Sequence, residues 1–145
     1  MSLIRGLFCS TFLVAVIIII TAPNLSSAAK CPGVKHNLIV GTRLHKDMLL
    51  SKEHIQSSWK LIGTVKKTIT YPRKKEDENK YIITQIKVLD KYTNGHGGCP
   101  SIRKGGVGHS NVTVLLEGEI LRGLEFDVEI YGLKRSKAKK LFKLN

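Results

Sequence analysis

Four prolines in 145 residues, and thirteen glycines with no fixed period, exclude collagen-like and proline-rich architectures. Three cysteines are too few for a densely bridged scaffold. Acid is scarce as well: 11 Asp+Glu stand against 24 Lys+Arg, a formal net charge of +13. No internal repeat occurs, and beyond residue 30 there is neither a long apolar run nor a convincing 3.6-residue stripe. What is present argues for a folded chain. A hydrophobic content of 42% is ordinary for a globular protein and excludes wholesale disorder, and the length suits one domain.

The first thirty residues stand apart. A short segment with one cation, Arg5, precedes the apolar run Leu7 to Ala22, LFCSTFLVAVIIIITA, and Ser27-Ala28-Ala29 closes it. These are the three regions of a secretory signal peptide, residues 1–29, with cleavage after Ala29 or Ala28. The other reading is a retained anchor, but the run is shorter than the ~20 residues a spanning helix needs. Cleavage removes Cys9 and leaves Cys31 and Cys99. An exported chain makes one disulfide the expectation, two buried thiols being the alternative. The bridge would close a loop of roughly seventy residues and contribute on the order of 4 kcal/mol in the chain-entropy model. Asn111-Val112-Thr113 is an N-glycosylation acceptor triplet.

The mature chain reads as strands. In Leu124 to Tyr131, LEFDVEIY, apolar and polar residues alternate with period two, the mark of a half-buried strand. Val112 to Glu117 and Tyr81 to Leu89 follow the same rule, Asn37 to Thr42 is a shorter candidate, and Trp59 to Tyr71 reads as one long or bent strand. Leu49 to Ser58 could hold a short helical turn, with Ser51 as a candidate N-cap. The fold class is therefore all-β: a single antiparallel β-sandwich-like or small open-barrel domain over residues 30–133, followed by a basic tail, 134–145. The expected inner face is Leu38, Val40, Trp59, Leu61, Val65, Ile69, Ile82, Ile86, Val88, Val112, Val114, Leu116, Phe126, Val128 and Ile130.

Pro72 to Lys80, PRKKEDENK, reads as a charged hairpin tip, and Asn94 to Gly108, with six glycines, as a series of tight turns. The glycines precede a strand rather than a helix and lack a following Gly-Lys-Ser/Thr, which argues against phosphate cradling. The five histidines, His36, His45, His54, His96 and His109, show no metal-ligand spacing. Glu125, Asp127 and Glu129 share one strand face, where cross-strand lysines suit them better than catalysis. Ser110 beside His109 is not a triad, since strand neighbours point to opposite faces. The tail carries Lys134, Arg135, Lys137, Lys139, Lys140 and Lys143 with no acid. It reads as a solvated extension outside the core, as a site for an acidic partner, or as a segment trimmed after Arg135.

Certain stretches resemble a known family: His36-Asn37-Leu38-Ile39-Val40-Gly41; Asp47 with Leu49 and Leu50; Trp59-Lys60; the run ending at Tyr71-Pro72; Ile82 to Asp90; Tyr92-Thr93-Asn94-Gly95-x-Gly97-Gly98; Gly105-Gly106-Val107-Gly108; and Arg122-Gly123-Leu124-x-Phe126 through Gly132. Together they are similar to the insect multiprotein bridging factor two family, also labelled salivary secreted peptides, across residues 35–132. The motif residues are Asn94, Gly95, Gly97, Gly98, Gly105, Gly106, Arg122, Gly123 and Phe126. The resemblance implies a small secreted all-β protein without catalytic residues; its founding member is described as a transcriptional co-activator. Met48 stands where a basic residue is expected after Asp47, and the basic tail runs past the usual end of the family domain.

The expected function is a secreted, non-enzymatic protein that binds an extracellular partner, either a protein or an anionic glycan or membrane surface met by the tail. No catalytic residue, cofactor, metal or sequence-specific nucleic-acid contact is expected. The alternative is a nuclear co-activator acting through protein contacts. A small hydrolase or metal enzyme using His96 or His109 is the third reading. Deleting residues 134–145 is expected to weaken binding to immobilised heparin.

Overall fold

The computed structural model describes residues 36–92 and 94–142. The expected signal peptide, Cys31 and Lys143 lie outside the described residues. Seven strands follow in order: β1 Leu38–Gly41, β2 Met48–Ser57, β3 Lys66–Tyr71, β4 Tyr81–Asp90, β5 Cys99–Gly105, β6 Val112–Glu117 and β7 Leu124–Lys134, then helix α1, Arg135–Phe142. They form two sheets, one of order β1-β4-β7-β2 and one of order β3-β6-β5. Every pairing is antiparallel, and the sheets do not close into a barrel.

Alternation builds the core. Val112, Val114 and Leu116 from β6 and Leu124, Phe126, Val128 and Ile130 from β7 are all but fully buried, and they meet Ile69, Tyr71, Ile83, Ile86 and Val88 from β3 and β4. Fully burying each such side chain is worth about 1.5–3 kcal/mol. The sheets thus share one apolar layer.

Five expectations need correction. Leu49 to Ser58 is no helical turn but most of β2, which pairs with β7 along its length. Lys52, His54 and Gln56 face solvent while Leu50 and Ile55 pack on the core, so period two decides against the helix-forming residue types. Trp59 and Leu61 are not inner-face residues: β3 begins only at Lys66, and the preceding segment leaves Trp59 59% and Leu61 76% exposed. Ile82 is replaced in the core by Ile83, because a register shift between Ile83 and Gln85 flips the parity of β4. Residues 72–80 are no hairpin tip: β3 and β4 lie in different sheets, and this segment crosses between them around a 3-10 turn, Lys75–Asp77. The glycine-rich stretch holds β5, an edge strand, between its turns.

The C-terminal segment also differs from a solvated tail. β7 continues through Lys134, and α1 packs on β7 and β4 with Ala138 fully buried. A small residue lets the short helix lie close against the sheet.

The sandwich has two distinct ends. At one, marked by Cys99, the connections 58–65, 91–98 and 118–123 all cross from one sheet to the other. At the other, marked by Asn111, lie the turns 42–47 and 106–111, the crossing 72–80 and α1.

Candidate anion-binding surface

The Asn111 end gathers cations from three separate segments. Asn79, held at φ 64°, is the tie: its Oδ1 accepts from Ser110 Oγ at 2.9 Å and from the Arg135 guanidinium at 3.2 Å. The Arg135 backbone N–H donates to Lys80 O at 2.8 Å, which fixes the start of α1 against the crossing segment. With Ala138 turned inward, Arg135, Lys137, Lys139 and Lys140 are exposed.

Beside this lies an open cleft of about 380 Å³, lined by Thr70, Tyr71, Pro72, Arg73, Lys74, Lys75, Glu78, Lys104, Asn111 and Thr113. Two of the nearby cations are paired, Arg73 with Glu53 and Lys80 with Asp77. Lys74, Lys75, Lys104, Lys134, Lys137, Lys139 and Lys140 have no ion-pair partner among the described residues. Burial pushes the Tyr71 hydroxyl up to about 12, so it stays protonated and able to donate. The surface therefore offers unpaired positive charge and hydrogen-bond donors, which suits an extended anionic ligand.

The turn at this end is braced from below. Asp47 is buried and accepts from Arg43 Nε (2.8 Å), the Leu44 N–H (2.9 Å) and the Thr84 hydroxyl (2.9 Å), while a second Arg43 nitrogen stands at 2.7 Å. Burial opposes its ionisation, but these donors outweigh it and hold the carboxyl below the ordinary range. Arg43 also stacks on Tyr131, 3.8 Å from the ring centre.

The acidic strip of β7 is neutralised across the strands, as its alternation suggested. Asp127 meets His54 at 2.7 Å and Lys91 at 3.2 Å, Glu129 meets Lys52 at 3.1 Å, and His54 lies 3.6 Å from Glu125. The His54 hydrogen bond lowers Asp127 below the usual carboxylate range, and the Tyr131 hydroxyl and Lys52 do the same for Glu129.

The remaining sequence-derived residues are divided between the ends. Asn111 is half-buried in the wall of the cleft. Its carbonyl accepts from the Gly106 N–H at 2.9 Å. Cys99 opens β5 at the opposite end, and the Cys31 expected to join it is outside the described residues. Asn94 Oδ1 caps a turn by accepting from the His96 N–H at 3.1 Å. Gly97 lies against Asp90, where a Cβ would come within 1.8 Å of the carboxylate. Asp90 and His36, 3.5 Å apart, are both buried beneath it, and burial raises the Asp90 carboxyl above its ordinary range. Gly123 backs onto Ser57 O and the Tyr92 hydroxyl, Arg122 is exposed, and Phe126 is fully buried. His96 and His109 fall at opposite ends, so the structure does not bring them together. Among the described residues no group of three or more His, Cys, Asp or Glu could hold a metal ion. None of the described helices is long and apolar enough to cross a membrane.

Sequence reasoning located the cations of α1 but missed the cleft. Lys104 on β5 lies far along the chain from the adjacent Lys74 and Lys75, and the fold brings them to one cleft where residues 72–80 leave β3. The fold and this surface define a small antiparallel two-sheet protein with a strongly basic end. The chain belongs to the MBF2 family: the family model described as "Transcription activator MBF2" matches residues 40–132. It is also 36% identical over 114 residues to a "Probable salivary secreted peptide" of Bombus ignitus, covering 77% of this chain and 81% of that relative. No solved structure matches it significantly.

Proposed function

We propose that the protein is exported and acts without catalysis, binding an anionic extracellular partner of the sulphated-glycan type through its basic end. The observation that carries this reading is the set of unpaired lysines around the Tyr71–Asn111 cleft and on α1. The apolar run of residues 7–22, followed by Ser27-Ala28-Ala29, and the name of the Bombus ignitus relative, a probable salivary secreted peptide, support export. In that compartment a Cys31–Cys99 bridge would anchor the mature N-terminus, and a glycan on Asn111 would border the cleft.

The test is salt elution from immobilised heparin. Because Ala138 is buried, deleting the segment would disturb packing; the triple charge reversal Lys137→Glu, Lys139→Glu, Lys140→Glu leaves it in place. Elution should move to markedly lower salt, as expected for a screened electrostatic contact. Unchanged elution in this variant and in Lys74→Glu, Lys75→Glu, Lys104→Glu rejects the basic end as the contact. A second reading, favoured by the family's description as a transcription activator, is a transcriptional co-activator acting through protein contacts. Compartment separates the two: a chain retained in nuclei with residues 1–29 intact favours the second.

A further inference from the structure

The end opposite the basic surface carries the four most exposed large apolar side chains of the described residues. Ile62 is 87% exposed, Leu61 76% and Trp59 59% on the 58–65 connection; Ile120 is 58% and Leu121 54% exposed on the 118–123 turn. The two loops are joined, since the Gly118 N–H donates to Val65 O at 2.7 Å and Lys66 pairs with Glu117 at 2.8 Å. Leu121 sits at φ 58°, a left-handed conformation that costs leucine energy. Large apolar side chains left in water on two joined loops, one of them on a strained residue, mark a contact site.

The charge around it indicates what is contacted. Lys60 and Arg122 flank the apolar residues and have no ion-pair partner among the described residues, while the acids Glu117 and Glu119 are tied to Lys66 and His96. The end therefore presents hydrocarbon bordered by net positive charge. A second copy of so basic a chain would be repelled. An anionic phospholipid leaflet matches both layers, with acyl chains for the apolar tips and headgroups for the cations, and tryptophan favours that boundary. We propose that the loops 58–65 and 118–123 dock the protein on anionic phospholipid membranes, with Trp59, Leu61, Ile62, Ile120 and Leu121 entering the interface. This inference is independent of the glycan reading, which uses the other end.

Trp59 is the single tryptophan of the chain and reports directly on the contact. Vesicles of phosphatidylserine and phosphatidylcholine, added to the mature protein, should shift Trp59 emission to the blue, and pure phosphatidylcholine should do so far less. Leu61→Ser with Ile62→Ser keeps the reporter and should weaken vesicle affinity at least tenfold. Lys60→Glu should weaken it too, whereas the α1 triple charge reversal should leave the blue shift in place. The proposal is overturned if no shift occurs with anionic vesicles, or if the α1 reversal abolishes it while Leu61→Ser/Ile62→Ser does not. A shift that depends on protein concentration without lipid, with dimer mass in sedimentation, would likewise overturn it in favour of self-association.

Discussion

The two ends of the sandwich are built from the same chain geometry and differ in what their loops do with side chains. At the basic end the loops are cross-braced: Asn79 joins Ser110 to Arg135, Asp47 gathers Arg43, Leu44 and Thr84, and the cations left over project outward. At the other end, backbone contacts and a buried His36–Asp90 pair hold the loops, and large apolar side chains are left in water. The fold needs the charges of the first end in part and the exposed hydrophobics of the second not at all. Residues that neither the core nor the loop bracing uses are the ones available for binding.

Mutations at the two ends should therefore separate. The largest effect is expected for Gly105→Ala. Gly105 holds φ +66° and a Cβ there would lie 2.0 Å from Asn111 O, so about 3 kcal/mol should be lost in denaturant unfolding. Its counterpart at the apolar end, Gly63 at φ +77°, has nothing within 4 Å of the added atom. Gly63→Ala should cost only about 1 kcal/mol of backbone strain. A large loss at both positions would mean the ends are equally braced.

Between these falls Asp47→Ala, expected to cost about 2 kcal/mol by leaving the buried Thr84 hydroxyl and Leu44 N–H unpaired. The same residue predicts a pH dependence. Its carboxyl is held below the ordinary range in the fold, so its contribution is present above the unfolded carboxylate pKa and is lost as pH falls through the lower folded value. Thermal melts of Asp47→Asn should accordingly show a shallower loss of stability on acidification than the parent. An identical acid profile would remove Asp47 from the account. The smallest effect on stability, within about 0.5 kcal/mol, is expected for Leu61→Ser with Ile62→Ser. A loss above about 2 kcal/mol would show that these side chains pack on the domain instead of awaiting a partner.

Much of this architecture was legible in the sequence, with the losses in definite places. The period-two segments of β6 and of β7 up to Tyr131 placed core residues, since their faces alternate strictly there; at Gly132 and Leu133, both buried, the rule breaks. The shift in β4 hid the change from Ile82 to Ile83, because a bulge depends on pairing with β7 that periodicity does not contain. β2 was masked by Lys, Glu, His and Gln, which suit a solvent-facing edge strand as well as a helix. Trp59 and Leu61 are apolar yet exposed, because hydrophobicity does not by itself imply burial and β3 starts only at Lys66. The cations of α1 were visible as a run, whereas the cleft beside them depends on segments that meet only after residues 72–80 cross between the sheets.

The glycan reading of the basic end requires export. The most direct measurement is intact mass spectrometry of the expressed protein, taken separately from medium and from lysate. The account predicts a medium form that begins at Lys30 and is two hydrogens lighter than the reduced chain, the mark of a Cys31–Cys99 bridge. A protein kept in the lysate with residues 1–29 intact and free thiols would contradict it.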